Sequence, residues 1–524
     1  MTPVPSLTYS PPIRMPAPLR AATLVLLATS ACSFSTLGLE VDTTSSTSST
    51  DADPDTSAAP ATTGAPAPTT TTGEAAPTTT TGAPAPTTTG SEAPTSTSAP
   101  GSTSSASDTS TTGAPVCMGE PVDNPGCGGV EPYCVDMECV SCEGLSSCVD
   151  FEPSKPACEA KSGRCVECLT NDDCIDLDEP ACDADTATCV PCTEHAQCPA
   201  TACNLETGQC FPDSDVLYVW NEIAKCSDVK LDYGFDVMTP ICTLSTAMKR
   251  VAPGKPTTIK LKPNIKAQHT PAGLPIGNYV VAIVPQDEQL PSLAMTNELP
   301  AVTLSPGNQV FMLRVGIYNS MGASDPAIDC TGATLWLDRQ RIYNTRTAIL
   351  ADNCLVHLRR TIIFGNVGGG LEIGGDDPAQ AMLWLENSFL TENHGSAFGG
   401  LRLRGAASAE LLYTTVANNK SPVPPIDCVA GWSGKLELRN SAIVDPGAHF
   451  AAACKPTLIS TFESMLKVDI FSSSVGGFYE AKKNGPLAGK AIWKTGDPVT
   501  DYNDTKRPTM NGELDYAGGD RPGM

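Results

Sequence analysis

Leu335-x-Leu337-x4-Ile342 is matched by Val356-x-Leu358-x4-Ile363, and this pairing sets the fold of the C-terminal part of the chain. The same spacing returns as Leu383-x-Leu385-x4-Leu390, Ala409-x-Leu411-x4-Val416 and Leu436-x-Leu438-x4-Ile443. Upstream, Val310-x-Met312-x4-Ile317 fits it too. The third position steps by 25, 21, 27, 26 and 27 residues, so three apolar columns keep register while the loops vary. The i, i+2 pair is strand-type alternation, and the gaps are too Gly-rich and irregular for helices. Each unit alone has no partner for its apolar face. Stacking the units buries it, which predicts an all-β parallel solenoid with rungs about 4.8 Å apart. Polar residues stand at the turns: Asn319, Asn344, Gly365, Glu392, Asn418 and Asp445, with Asn366, Asn393 and Asn419 one step further where they occur. Such amides can stack rung upon rung.

The flanks extend the pattern to residues 213–524. Pro240 to Gly254, followed by Thr258-Ile-Lys-Leu261, reads as a short helix, a Pro-Gly turn and a first strand. The helix would cover the open end of the core and block edge pairing. Near the C-terminus stand Asp501-Tyr-Asn-Asp504-Thr-Lys-Arg507-Pro508 and Gly512-Glu-Leu-Asp515-Tyr-Ala-Gly-Gly-Asp520. With these pieces the segment resembles the right-handed parallel β-helix, or pectate-lyase-like, family. Members usually close on Gly-Ala and an acid, from which Ala517-Gly-Gly-Asp520 departs.

The resemblance implies two functions. Enzymes of the family attack polysaccharides along one sheet. Their lyases use acids that hold Ca²⁺ and an Arg or Lys base, and their hydrolases use grouped Asp residues. Leu371-Glu372-Ile373 aligns with Leu401-Arg402-Leu403 and Ile426-Asp427-Cys428, so Glu372, Arg402 and Asp427 become neighbours across rungs. They form either a ligand-binding patch for a uronate or the cross-strand ion pairs of a solvated sheet. No lyase or polygalacturonase signature is present, and His357, His394 and His449 fall in no hydrolase motif. No catalytic residue and no metal ligand is assigned. The reading that follows is a non-catalytic surface protein that displays the β-helix for adhesion or glycan binding. The alternative is an extracellular polysaccharide lyase, hydrolase or epimerase. The chain has no nucleophile-elbow, phosphate-loop or dinucleotide motif.

Six cysteines lie in this part. Cys428 and Cys454 are 26 residues apart, one rung at the local period, which brings them within disulfide reach. Cys330 and Cys354 are 24 apart but sit unequally against the columns. Cys226 and Cys242 flank a loop before the capping helix and would staple it.

Before the solenoid, residues 117–212 hold 16 of the 23 cysteines. Their frame repeats as Cys139-x2-Cys142-x5-Cys148-x9-Cys158-x6-Cys165, again from Cys165 to Cys189, and again from Cys189 to Cys210. Cys117, Cys127 and Cys134 look like a degenerate first unit. Only the loop before the fourth cysteine changes. Few large apolar residues are present, so cross-links must replace a core, and an exported chain favours disulfides over zinc. The pairing stays open. The spacing is similar to small Dickkopf-like extracellular repeats, which implies binding or spacing. The array carries 19 acids against three bases. Asp172, Asp173, Asp176, Asp178 and Glu179 could hold Ca²⁺ but lack EF-hand order, and a solvated surface is the simpler reading.

The N-terminus supplies an address. Arg20 precedes Ala21-Ala-Thr-Leu-Val-Leu-Leu-Ala28 and then Thr29-Ser-Ala-Cys32, the parts of a secretory signal over residues 1–31. Met15 would give a tighter start. Cys32 resembles the acylated cysteine of a bacterial lipobox, with Thr29 where the family prefers Leu; ordinary cleavage after Ala31 also fits. Ser33 implies an outer-membrane lipoprotein facing outward, with secretion as the alternative. Residues 32–116 form a lipid-anchored, low-complexity linker. From Val41 to Val116 there is no Leu, Ile, Met, Phe, Trp, Tyr, Lys or Arg, so the stretch has no core to bury and reads as a disordered tether. A net charge of −25 without a basic block disfavours nucleic acid. The expected partners are the membrane, through lipid, and an extracellular polysaccharide or cell-surface protein, with the chain a monomer.

Overall fold

A computed structural model describes residues 127, 132–135, 138–145, 147–221, 224–263, 272–295, 299–319, 325–465 and 469–523. The signal, Cys32, the linker and Cys117 lie outside them. Three parallel sheets run the length of the solenoid. Among the described residues the first has ten strands, the second seven and the third eight, so the coil makes about seven turns. One turn shows the path: Leu355–Arg359 lies in the first sheet, Ile362–Phe364 in the third, Gly369–Gly374 in the second, and Met382–Glu386 returns to the first.

The three apolar columns are in the expected register. Val310, Leu335, Val356, Leu383, Ala409 and Leu436 pair in series, as do Ile317, Ile342, Ile363, Leu390, Val416 and Ile443. All are buried in one continuous core. Four strands of the first sheet lie beyond the six rungs read from sequence, two of them Val216–Val219 and Thr257–Leu261 at the N-terminal end. Val281, Ile283 and Leu293 form a further rung upstream, and Thr457–Ile459 with Phe462–Ser464 form one downstream. The corner from the first sheet to the third is a single left-handed residue in each turn: Arg314, Arg339, Arg360, Asn387, Tyr413, Asn440 and Ser460, with φ between 47° and 55°.

A second left-handed column, Asn344, Gly365, Glu392 and Asn418, follows the third sheet. The next residues form a buried ladder. Asn366 Nδ2 donates to Asn393 Oδ1 at 2.8 Å, and Asn393 Nδ2 donates to Asn419 Oδ1 at 3.0 Å. Each amide also donates to a carbonyl of the preceding turn, from Ile342 to Leu390. Asp445 ends the ladder, accepting from Asn419 N at 2.6 Å. Burial pushes its carboxyl up to about 7, against hydrogen bonds from Asn419 that pull it down. The folded state therefore keeps a proton that the unfolded chain releases near pH 4, and stability falls as pH rises from about 4 to about 7. Asp445→Asn keeps the acceptor and removes the charge. It should raise stability at pH 8 by about 2–4 kcal/mol and leave it little changed at pH 4. Equal gains in denaturant midpoint at both pH values would contradict this.

The N-terminal end is covered by the helix Leu244–Arg250. Thr243 caps it by accepting from Thr246 N, and Leu244, Ala247 and Met248 face the core. Cys226 is bonded to Cys242, Cys330 to Cys354 and Cys428 to Cys454, with Cα separations of 4.9, 6.2 and 5.2 Å. Cys330 is in register with Ala351, not Cys354, which sits three residues on at a turn. The C-terminal tail lies along the outside of the third sheet, where Ile470, Tyr479, Leu487, Trp493 and Ala517 bury Ile362, Phe389, Ala417 and Val444.

In the array each unit is a short hairpin held by two disulfides. They are Cys142–Cys158 with Cys148–Cys165, Cys168–Cys182 with Cys174–Cys189, and Cys192–Cys203 with Cys198–Cys210. First thus joins third and second joins fourth. Cys139 bonds to Cys127 and so belongs to the preceding unit, not to the one that its Cys-x2-Cys spacing suggests. Three sets of cysteine sulfurs cluster within 4.8 Å, and every one of those sulfurs is spent in a disulfide.

Candidate functional site: an aromatic shelf beside the array

Between the first two apolar columns stands a position that faces outward. In the first sheet it holds Phe311, Trp336, His357, Trp384, Glu410 and Glu437, in register on successive turns. The rings stack. Trp336 and His357 are 3.8 Å apart between centroids and tilted by 2°; His357 and Trp384 are 4.1 Å apart and tilted by 9°. Phe311 extends the stack at 6.3 Å. The strand spacing of the sheet is what sets these distances.

The last array unit docks on the upper end of this column. Phe211 meets Phe311 edge-on at 5.9 Å, and Ala202 and Leu205 pack with Ala282, Val284 and Leu313. Phe311 is fully covered, whereas Trp336, His357 and Trp384 are half-buried. They floor a cleft of about 350 Å³ whose opposite wall is Cys192, Thr193 and Leu205. Arg359 and Glu386 stand at its edge.

The charges around the cleft are mostly used in holding the array. Arg359 and Arg360 both reach Asp338, at 2.7 and 2.8 Å, and Arg360 also reaches Glu194 of the array at 2.8 Å. Burial alone would raise the Asp338 carboxyl, but the two guanidinium groups outweigh it and hold it at about 2. Burial between the indoles lowers His357 to about 4, so the imidazole is neutral at pH 7 and stacks as an aromatic. Burial raises Glu386, with Arg359 and Arg360 opposing.

The residues singled out from sequence lie elsewhere, on the second sheet. Glu372, Arg402 and Asp427 are in register there, as their alignment implies. Arg402 pairs with Asp427 at 2.9 Å, donates to Ala397 O and lies 4.8 Å from the Phe398 ring. Glu372 pairs with Arg404 at 2.7 Å instead. The cations and acids thus neutralise one another within the sheet. In the array, Asp173 accepts from Leu169 N and Thr170 N, and Asp176 accepts from Asp178 N. Those oxygens shape the loop. His449 bonds Glu463 at 2.9 Å, away from the shelf.

A second ring stack, Tyr318–Tyr343–Phe364, runs outside the third sheet at 5.4 and 5.1 Å. The tail reaches it at Gly477, whose φ of 77° and close approach to Phe364 both require glycine. Among the described residues, the cover on the shelf of the first sheet comes from the array.

Residues 102–216 match the model of a family of unknown function, DUF8331, which takes in the array and stops where the first solenoid strand begins. No curated protein matches the chain.

Proposed function

We propose that the protein is a non-catalytic cell-surface lipoprotein that binds glycan on the aromatic shelf. The observation that carries this reading is the cleft floored by Trp336, His357 and Trp384. Sugar rings present C–H faces that pack on flat aromatic rings, and a row of rings one strand apart offers successive places for a linear chain. The polar edge made by Arg359 and Glu386 suits hydroxyl groups at the rim.

Binding fits better than cleavage. Glycoside hydrolysis needs two carboxyl groups across the scissile bond, and among the described residues that line the cleft Glu386 is the only acid. A lyase needs an effective base; Arg359 is committed to Asp338, and burial lowers His357 to about 4, which makes it a weak one. We assign the solenoid to the right-handed, pectate-lyase-like superfold and Cys32 to the lipid anchor, with the protein monomeric and facing outward from the outer membrane. The Thr- and Pro-rich composition of Val41–Val116 suits a spacer between the anchor and the folded part. Cys32→Ser should move the protein from the membrane fraction to the soluble one. Retention in the membrane would sink the anchor.

Trp384→Ala removes the ring of the shelf that lies farthest along the column from Phe311. On a glycan array the wild type should select a polysaccharide class that the variant binds at least about tenfold more weakly. Unchanged affinity for that class would remove the shelf from the binding site.

A further inference from the structure

The first two array units expose apolar residues that the third does not. The loop between the second and third cysteine of a unit has nine residues in the first, seven in the second and four in the third. The third unit is the one that packs on the solenoid. The long loops of the other two face solvent. Val149 is 47% exposed, and Ile175, the first residue of the second loop, is 92% exposed. Between these loops lies a cleft of about 540 Å³, with Pro153 and Pro156 on its apolar side.

The cleft is held in shape. Asp173 caps the turn before Ile175, Asp176 accepts from Asp178 N, and Cys210 N donates to Leu177 O at 3.0 Å. Gln209 also donates to Asp178. Ile175 is therefore presented on a braced loop, so docking there orders little extra chain. The rim is of one sign. Among the described residues, five acids line the cleft and no lysine or arginine does. Of these acids, Asp172 and Glu179 are exposed and make no hydrogen bond or ion pair with a described residue.

We propose that this cleft docks a protein segment that carries an aliphatic side chain flanked by lysine or arginine. An apolar floor inside an acidic rim selects that chemistry: the aliphatic group covers Ile175 and Val149, and the cations meet Asp172 and Glu179. The chain's own linker does not qualify, because Val41–Val116 has neither a basic residue nor a Leu, Ile or aromatic residue. The surface is separate from the shelf and does not depend on it.

The test uses the full-length protein and labelled synthetic peptides that alternate Lys with Leu, Lys with Ser, or Glu with Leu. The Lys–Leu peptide should bind with one-to-one stoichiometry, about tenfold or more tighter than Lys–Ser, and Glu–Leu should not bind. Ile175→Ser should weaken Lys–Leu to the Lys–Ser level, and Asp172→Asn with Glu179→Gln should lessen its salt dependence. Ile175 is exposed, so its replacement leaves folding intact, and glycan binding at the shelf should not change. Equal affinity for Lys–Leu and Lys–Ser, or an Ile175→Ser variant that binds as wild type, would overturn the proposal. Self-association that Ile175→Ser abolishes would assign the cleft to a second copy of the chain and overturn it equally.

Discussion

Arg507→Met should release the C-terminal tail from the solenoid, at a cost of about 3–5 kcal/mol. Arg507 is fully buried. Its guanidinium pairs with Asp515 at 2.9 Å, donates to Asn387 Oδ1 and to Gly518 O, and lies 3.7 Å from the centre of the Tyr413 ring. Asn387 and Tyr413 are two of the left-handed corner residues, so one side chain ties the tail to consecutive turns. Methionine fills much of the volume but leaves the Asp515 carboxylate buried with only Arg521, at 3.1 Å, to balance it. Hydrogen exchange should then speed up across residues 469–523 and in the outer face of the third sheet around Phe389. The rungs before Val310 should keep their protection. Uniform loss of protection would mean that the tail is part of the solenoid's cooperative unit rather than a cover on it.

Asn393→Ala should cost a similar amount, about 3–5 kcal/mol, by another route. Asn393 is at the centre of the ladder and wholly buried. Its oxygen accepts from both Asn366 N and Asn366 Nδ2, and its amide donates to Ile363 O and Asn419 Oδ1. Alanine leaves the Asn366 backbone N–H and one acceptor site on Asn419 without partners, in a place water does not reach. Because a solenoid is held by its neighbours, the loss should be local at first. Proteolysis should open the turns between Gly365 and Lys420 before the ends. A variant as stable as wild type to denaturant would show that the ladder is decoration.

The fold was legible in the sequence because the interior columns obey one rule, an aliphatic pair two residues apart and a third five residues later. Where the rule fails, the rung was hidden. Val281-x-Ile283 keeps the pair, but the loop Gln286–Pro291 pushes Leu293 out of the spacing. The last rung offers Glu463 where the others have an aliphatic residue. The ladder's end was hidden for a related reason. Asp445 comes two residues after Ile443, whereas Asn419 comes three after Val416, so counting alone does not bring them together.

The shelf was missed although its signal stood in plain sight. The blank in Leu335-x-Leu337 is Trp336, in Val356-x-Leu358 it is His357, and in Leu383-x-Leu385 it is Trp384. Core periodicity carries no information about the outward position between the two aliphatic residues. Charged residues on the second sheet drew notice instead, and there ion pairing consumes them. The pairing of the array cysteines had no counterpart in the spacing, because adjacent hairpins share the Cys-x2-Cys step between units. The docking of Phe211 on Phe311 joins residues 100 positions apart, with no local pattern to announce it.

On this reading the shelf holds a glycan without cutting it. The direct measurement is calorimetric titration of the full-length protein with the polysaccharide class chosen on the array, followed by mass spectrometry of the glycan recovered from the cell. Binding should be saturable and at least about tenfold weaker in Trp384→Ala, with the glycan recovered at its original mass. Shortened or unsaturated products that depend on Glu386 would contradict it and make the cleft an active site.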